Sequence, residues 1–427
     1  MKYQNVLLLL VLTLLTLPIS AKADKPSLQE MIDAADDGDT LIVSPGSYTE
    51  NITITKPVTL IGEHKATIQS CKNAPVLTIK GEHVQLSNIT IEQCNKNDEG
   101  SPAIYVTGRN HVLTNLIINT EQIGIQLNEA NQIRIEKSTL TGNRKHNSID
   151  LWASSNNVIT SLQINNVLDG IYLEQSNSNE ITNNFIQNAR YGIHLMFSDY
   201  VLVEKNHSQH NFAGAMVMQA KETFIKDNEF SFNNQNVNSQ GLLLYQTNNT
   251  IVTDNMFTSN RIGSFIEETS GAQFNNNTFE SNTIGIQMKR AFNNRLSENI
   301  FNGNVNDAQA IESADNLIEH NYWDTSLKLD INGDSISEIP HAADPYFLTL
   351  IQWVPEYQLF FQHPGITLLK QVFNSPTETL LMDYHPSMNS GIINSHQKED
   401  KQISLWFLGV FFTIFNLYFI QKWRRFS

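Results

Sequence analysis

Cysteine is scarce in this chain, with two among 427 residues. That number excludes a disulfide-dense scaffold and a zinc site built from four thiolates. Charge is scarce as well: 17% of the residues are charged and 40% are hydrophobic, which excludes a disordered chain. Basic residues are fewer than acidic ones, 28 against 43, and the net charge is −15 at pH 7. An acidic chain of this kind argues against nucleic acid as a partner.

The first residues have the features of a secretory signal peptide. Lys2 precedes an apolar run from Val6 to Ile19, and Ala21-Lys22-Ala23 supplies a small-x-small cleavage site. We therefore assign residues 1–23 to a signal peptide and expect the rest of the chain to be exported. The alternative is an uncleaved membrane anchor.

A second apolar segment lies near the other end, at residues 403–420, and contains no charged residue. At a rise of 1.5 Å per residue, a helix of this length spans about 27 Å, enough to cross a hydrocarbon core. Residues 421–427 are basic and should remain in the cytoplasm. We predict a transmembrane helix that ties the exported body to the membrane. A hydrophobic helix docked on this protein or on a partner is the alternative.

The middle of the chain repeats a short motif in which a glycine precedes an apolar residue, usually isoleucine. Most intervals between these marker glycines are 22 residues. A fixed period of this size predicts a solenoid. Leucine-rich repeats share the period, but their Leu-x-x-Leu-x-Leu signature is missing. The marker glycines are Gly124, Gly170, Gly192, Gly214, Gly241, Gly263 and Gly285.

Hydrophobicity within each repeat alternates in short bursts, as in β-strands. The first and third residues after a marker are apolar and should point inward, so the second and fourth should point outward. Asparagine and glycine at the corners tolerate a left-handed backbone, and asparagines on stacked coils can form side-chain amide ladders. We predict an all-β fold, a right-handed parallel β-helix of about a dozen coils over residues 42–323.

Both ends of this solenoid need covers. Ser27 and Glu30 form a capping box that opens a short helix, so residues 24–41 are expected to close the N-terminal end. Residues 324–402 lack the repeat and are interpreted as a C-terminal cap and linker. Cys71 and Cys94 lie 23 residues apart, hence on neighbouring coils. A disulfide and a stacked pair of buried thiols both fit this spacing, and a thiol metal site is the remaining alternative.

Two outward columns on consecutive coils carry an unusual group of side chains. His194 and Met196 occupy one coil, and Met216 and Met218 occupy the next. Thioether and imidazole together suit Cu(I), whereas thioethers bind Zn, Mg and Ca poorly. The alternative is an adaptable protein-binding surface, because exposed methionines are also typical of such surfaces. Two further candidate ligands, His207 and His210, lie further round the same coil and could be near these residues or remote from them.

Signals of enzymatic activity are weaker. Asp150, Glu174 and Glu267 lie in outward columns, but no two of them occupy matching columns of adjacent coils. Trp152 and Tyr172 are neighbours and could stack on a sugar ring. These residues are compatible with an alternative function, that of a carbohydrate-active β-helix enzyme, either a polysaccharide lyase or a hydrolase.

Residues 330–338 place oxygen-bearing side chains at alternating positions, as part of a calcium loop would. The glycine at the sixth position and the glutamate at the twelfth are missing, so this is not an EF-hand. Bound calcium and a plain acidic turn are both compatible with the segment.

Several of these segments together resemble the nitrous oxide reductase maturation family NosD. The similar segments are Arg190-Tyr-Gly-Ile-His-Leu-Met-Phe-Ser198, Asn211-Phe-Ala-Gly-Ala-Met-Val-Met218, Gly241-Leu-Leu-Leu244, Asn321-Tyr-Trp-Asp324, and the acidic stretch from Asp330 to Glu338 followed by Pro340. The resemblance extends over nearly the whole mature chain. The family is often described as soluble, so the apolar segment at 403–420 departs from it.

The resemblance implies an exported, periplasmic protein that works with an ABC transporter formed by the ATPase NosF and the permease NosY. It also implies that copper arrives from the chaperone NosL and passes to the apo form of nitrous oxide reductase, NosZ. A copper-handling role then falls on His194, Met196, Met216 and Met218. We expect a membrane-associated scaffold that is not an enzyme, with an adhesion or interaction surface as a further alternative.

Overall fold

A computed structural model describes residues 27–95, 100–344 and 380–390, together with residues 350, 354, 356, 357, 365 and 369. The predicted signal peptide and the predicted membrane segment with its basic tail lie outside these residues. Within the part of the chain that is described, no helix is long and apolar enough to cross a membrane.

Three parallel sheets wind into a right-handed solenoid of about 13 turns. A turn contributes one strand to each sheet, except that the last turn adds none to the third, and a strand pairs with its equivalents in the neighbouring turns. Within the described residues the first and second sheets have 13 strands and the third has 12. The predicted all-β parallel β-helix is confirmed.

The strand bounds show the regular spacing of the turns. The first sheet contains Thr40–Val43, Thr59–Gly62, Gln85–Ser87, Val112–Thr114, Arg134–Glu136, Val158–Thr160, Glu180–Thr182, Leu202–Glu204, Phe224–Lys226, Ile251–Thr253, Gln273–Asn275, Arg295–Ser297 and Leu317–Glu319. The second contains Gly46–Thr49, Ala66–Ser70, Thr90–Gln93, Ile117–Thr120, Thr139–Thr141, Gln163–Asn165, Phe185–Gln187, His207–Gln209, Glu229–Ser231, Met256–Thr258, Thr278–Glu280, Ile300–Asn302 and Tyr322–Trp323. The third contains Ile52–Ile54, Leu77–Ile79, Ile104–Arg109, Ile125–Asn131, Ile149–Trp152, Asp169–Glu174, Tyr191–Met196, Ala213–Met218, Gln240–Tyr245, Ile262–Glu267, Ile284–Lys289 and Asn306–Ile311.

The inward positions form one continuous hydrophobic core. Ile171 and Leu173 are fully buried, as predicted for the first and third residues after a marker glycine. In the second sheet the core becomes aromatic. The rings of Phe230, Phe257, Phe279, Phe301 and Trp323 stack on one another with centroid separations of 5.3, 4.8, 4.9 and 4.1 Å. This column holds successive turns in register, since each ring packs on the equivalent ring one turn away.

Asparagine side chains tie the turns together at the corners. The side-chain amide of Asn184 donates to Oδ1 of Asn206 at 3.0 Å, and Asn206 donates in the same way to Asn228 at 3.0 Å. The same contact repeats down the solenoid through Asn255, Asn277, Asn299 and Asn321. The predicted amide ladder is confirmed, and it satisfies polar groups that would otherwise be buried without partners.

Glycine and asparagine play different parts at the corners. Asn183 and Asn188 have φ of 55° and 58°, so asparagine does adopt the left-handed conformation there. Glycines such as Gly81 and Gly303 also have positive φ, but the marker glycines do not. They are needed because neighbouring turns approach closely: a Cβ on Gly263 would lie 2.4 Å from the carbonyl oxygen of Gly285.

A helix covers the N-terminal end of the solenoid. It spans Leu28–Ala34, and its capping box is confirmed by reciprocal hydrogen bonds between Ser27 and Glu30 at 3.1 and 2.9 Å. Leu28 and Ile32 are buried in the main core. The Cys71–Cys94 disulfide links two early turns, with Cα atoms 4.5 Å apart, which settles the pairing that the spacing left open.

The described residues after Trp323 cover the other end. His341–Ala343 and Leu381–Asp383 form a two-stranded antiparallel sheet there. The ring of His341 lies 4.8 Å from that of Trp323, so it continues the aromatic column beyond the last turn. The C-terminal segment therefore closes the hydrophobic core.

Candidate metal site

The third sheet brings four of the predicted ligands together. His194 pairs in register with Met216, and Met196 pairs with Met218, on the strands Tyr191–Met196 and Ala213–Met218. Side chains paired in this way lie about 5 Å apart across strands, and those two residues apart on one strand lie about 7 Å apart. The four side chains share the outward side of the sheet because they alternate with the buried Leu195 and Val217.

His194 differs from the three methionines in its exposure. The methionines are half-buried, whereas only 6% of His194 is exposed, although its position faces outward. Two aromatic rings explain this. The ring of Tyr172 lies 4.9 Å from the imidazole, and the ring of Tyr191 lies 4.8 Å from it in an edge-on arrangement. The imidazole thus lies against the rings of Tyr172 and Tyr191 while the methionines remain partly exposed, and we call the four side chains with these two rings the cleft.

A buried carboxylate holds one side of the imidazole. Asp169 is fully buried, and its Oδ2 lies 2.9 Å from Nδ1 of His194. Arg190 donates from Nε to Oδ1 at 2.9 Å and from its terminal nitrogen to Oδ2 at 2.7 Å. Burial raises the pKa of Asp169, but the hydrogen bonds and charges of His194 and Arg190 outweigh it and leave that pKa below its ordinary value.

The other ring nitrogen of His194, Nε2, is buried and makes no hydrogen bond to any residue that the structure describes. An orphaned buried nitrogen is costly, and it is available to a ligand. Imidazole and thioether donors fit Cu(I) and not the hard cations. Among the described residues, no group of three or more His, Cys, Asp or Glu is placed to hold a metal ion, so the fit rests on the sulfur atoms.

One of the methionine sulfur atoms already has a polar contact. The hydroxyl of Tyr172 lies 3.5 Å from Sδ of Met196 and also donates to the carboxylate of Glu174. Burial and the hydrogen bond to Glu174 raise the pKa of Tyr172, so it remains a neutral phenol. Tyr172 therefore orients Met196 from the neighbouring turn.

The two remaining predicted ligands lie on different parts of the solenoid. His207 belongs to the second sheet, where Nδ1 lies 3.2 Å from Glu229 and Nε2 lies 3.0 Å from Gln209. His210 lies at the following corner and stacks on Phe232 at 5.4 Å. The structure thus groups neither residue with His194 and the methionines.

A second acidic group, Asp150, lies two turns before His194. Burial raises the pKa of Asp150 to about 7, against a hydrogen bond from Asn147 that lowers it and with a further increase from the charge of Asp169. Trp152, 39% exposed, follows on the same strand and meets Tyr172 edge-on at 6.0 Å. This aromatic edge borders the cleft on its N-terminal side.

The acidic stretch 330–338 forms a local turn. Both carboxylate oxygens of Asp330 accept backbone N–H groups, from Gly333 at 2.6 Å and from Ser335 at 3.0 Å. Asp334 accepts from the backbone of Ile336 at 2.8 Å. The carboxylates thus organise the loop itself, and bound calcium stays a prediction.

Comparison with known families agrees with the fold and with the part of the chain that carries this cleft. Residues 135–337 match the family model described as periplasmic copper-binding protein (NosD), and residues 47–185 match the right-handed β-helix region. The chain is a NosD-like parallel β-helix protein. The match includes His194 and the three methionines, together with Asp169 and Asp150. No curated protein matches the chain.

Solved structures share the architecture of this NosD-like chain. A DFA-IIIase variant from Arthrobacter chlorophenolicus A6 is 12% identical, with a TM-score of 0.52, over 62% of this chain and 88% of its own. The family 28 exopolygalacturonase of Yersinia enterocolitica is 10% identical, with a TM-score of 0.51, over 70% and 76%. At such low identity the likeness shows the fold alone.

Proposed function

We propose that this protein is a non-enzymatic, periplasmic copper carrier that holds Cu(I) as cargo between His194, Met196, Met216 and Met218. The observation that carries the proposal is the orphaned Nε2 of His194 beside three half-buried methionines. The match of residues 135–337 to a family described as copper-binding supports it.

The ligand set suits transfer better than storage. Thioethers are neutral, soft donors that favour Cu(I) over Zn, Mg and Ca. They lie on the rigid face of a sheet, so the site needs no folding step to accept the ion. The methionines of the cleft are partly exposed, so an incoming partner can contribute its own ligands before the first ones are released.

The role in nitrous oxide reductase maturation belongs to the same proposal. Copper would arrive from the chaperone NosL and leave for NosZ, while the transporter subunits NosF and NosY anchor the assembly at the membrane. The resemblance to the NosD family supports this sequence of partners. A solenoid of about 13 turns offers a long surface on which they can dock.

A titration with Cu(I) against a competing chelator tests the proposal. The wild-type protein is compared with a variant carrying His194→Gln, Met196→Leu, Met216→Leu and Met218→Leu, substitutions that nearly preserve side-chain volume. Met256→Leu is the matched control, because Met256 is an exposed methionine of the second sheet. We expect the fourfold variant to lose binding and the control to retain it. Equal affinity in wild type and fourfold variant would sink the copper site.

A carbohydrate-active enzyme is the second candidate. An imidazole held by a buried carboxylate can act as a base, and Asp150, with a pKa of about 7, can act as an acid at neutral pH. Trp152 would stack on a sugar ring. Depolymerisation of polyuronates by the wild type, lost in His194→Gln and in Asp150→Asn, would favour this candidate over the carrier.

A further inference from the structure

Asp169, which is fully buried, and Arg190, whose side chain is partly exposed, form an ion pair beside the imidazole of His194. Asp169 begins the strand one turn before that of His194, at the position just ahead of the marker Gly170. Its backbone N–H donates to Oδ1 of Asn147 at 3.1 Å, so the carboxylate starts from an anchored backbone. The guanidinium of Arg190 donates to both oxygens of this carboxylate and so fixes the orientation of the Asp169 side chain.

The surroundings leave His194 little freedom to rotate. The guanidinium of Arg190 lies 4.6 Å from the ring centre of Tyr191, and Tyr191 in turn packs against the imidazole. Tyr172 contacts the ring from the preceding turn. The imidazole is thus confined by two rings, and Nδ1 faces a carboxylate that is itself held by a cation.

We infer that Asp169 and Arg190 are positioning residues that keep the proton of His194 on Nδ1 and so present the lone pair of Nε2 to the metal. An ionised carboxylate can only accept hydrogen bonds, so Nδ1 must be the donor at 2.9 Å. In neutral imidazole the other nitrogen then carries the lone pair. The inference rests on the proposed function, because it assigns the ion pair a part in that same site.

The role of the ion pair is therefore chemical as well as structural. Partners behind a metal-bound imidazole fix its tautomer and orientation and increase its basicity, and their loss typically costs about 10- to 100-fold in metal affinity. A tautomer with the proton on Nε2 would present an N–H to the ion and could not ligate it without rearrangement.

Two measurements on the full chain test the inference. The first is the tautomer of His194 in metal-free protein, from long-range ¹⁵N–¹H correlations of histidine-labelled samples. The second is Cu(I) affinity by chelator competition. We expect the Nδ1–H form in the wild type. In Asp169→Asn the new amide can donate to Nδ1, so the proton should shift to Nε2 and affinity should fall by about 10- to 100-fold.

Arg190→Gln keeps the Asp169 carboxylate but removes the guanidinium that holds it in place. This variant should give a mixture of His194 tautomers and a smaller loss of Cu(I) affinity. The matched control is Glu267→Gln, which removes another carboxylate of the third sheet, paired with Arg290 at 2.8 Å and with no histidine. It should leave both measurements unchanged. Arg190→Gln and the wild-type tautomer decide the question if Asp169→Asn does not fold.

The outcomes separate this inference from the proposed function. An Nε2–H tautomer in the wild type, or an unchanged tautomer in Asp169→Asn, would overturn the positioning role. A wild type with the Nδ1–H tautomer that binds Cu(I) no better than His194→Gln would instead overturn the copper site and leave the positioning of the imidazole in place.

Discussion

Asp383 accepts the last hydrogen bonds of the asparagine ladder, from the backbone and the side chain of Asn321. The distances from Oδ2 are 3.0 Å to the backbone nitrogen and 3.2 Å to Nδ2. The indole of Trp323 donates to the same oxygen at 3.0 Å. Each amide of the ladder donates to a backbone carbonyl of the preceding turn and to the asparagine of the next turn, so the last asparagine needs an acceptor on its C-terminal side. A carboxylate from the C-terminal segment provides it.

Removal of this acceptor should destabilise the end of the solenoid. We expect Asp383→Ala to lose about 2–5 kcal/mol, because two buried donors, the backbone N–H of Asn321 and the indole of Trp323, lose their acceptor. The effect should concentrate in the last turns, since each turn contacts only its neighbours. Hydrogen exchange would show it as lower protection of the last turns than of the early ones. Glu319→Ala, which removes a surface ion pair with Arg295, is the control and should change stability little. Uniform protection in Asp383→Ala would contradict the expectation.

The marker glycines should not tolerate even a methyl group. In Gly263→Ala the new Cβ would meet the carbonyl oxygen of Gly285 and, at 2.9 Å, the ring of Phe279. We expect a loss of about 1–3 kcal/mol in chemical denaturation, because two stacked turns must separate. Ser264→Ala is the control on the next residue, where the buried hydroxyl makes no hydrogen bond and its removal should be nearly neutral. Equal stability of the two variants would show that the turns can relax.

Asp150 should make the fold less stable as the pH rises. Burial raises its pKa from 3.8 to about 7 in the folded state. The folded chain therefore holds a proton that the unfolded chain releases between these values, and stability falls across that range. Asp150→Asn should match the wild type near pH 4 and exceed it at pH 8 by up to about 4 kcal/mol. Thermal unfolding at both pH values measures this. The exposed Asp254→Asn is the control, and parallel pH curves for wild type and Asp150→Asn would contradict the prediction.

His207 and His210 should be dispensable for copper. Their contacts lie on the second sheet and at a corner, away from the cleft. We expect His207→Ala and His210→Ala to bind Cu(I) within about twofold of the wild type, because the four ligands of the third sheet are untouched. Chelator competition measures the affinity. A loss comparable to that of His194→Gln would place these histidines in the site after all.

The sequence was sufficient to predict the arrangement of strands. The 22-residue spacing and the alternation after each marker predict the register of His194 with Met216, because equivalent positions of stacked turns must lie side by side. The amide ladder follows from the same periodicity. The reason for the marker glycines was not predictable, since a repeat shows that a small residue is needed and not whether φ or a close neighbour requires it.

The environment of His194 was not predictable in the same way. Asp169 lies just before a marker, outside the outward columns, and at equivalent positions other turns carry residues as different as Ala213 and Gln240. Arg190 reaches Asp169 from the next turn with a long side chain. A charged residue in a column that is otherwise apolar or amide-bearing was the available signal. The contact between Asn321 and Asp383 spans 62 residues, and Asp383 lies outside the repeat, so the periodicity does not predict this contact.

The stacked turns also fix the distance along the solenoid axis between the cleft and the C-terminal end. Five steps along the third sheet separate the strand Tyr191–Met196 from the last strand, Asn306–Ile311. At about 4.8 Å a step, His194 lies about 24 Å along the axis from the capped end. A coil inserted or deleted between them would shift that height by one step and leave the cleft unchanged. The number of turns thus sets how far from the C-terminal end a partner must reach to meet the cargo.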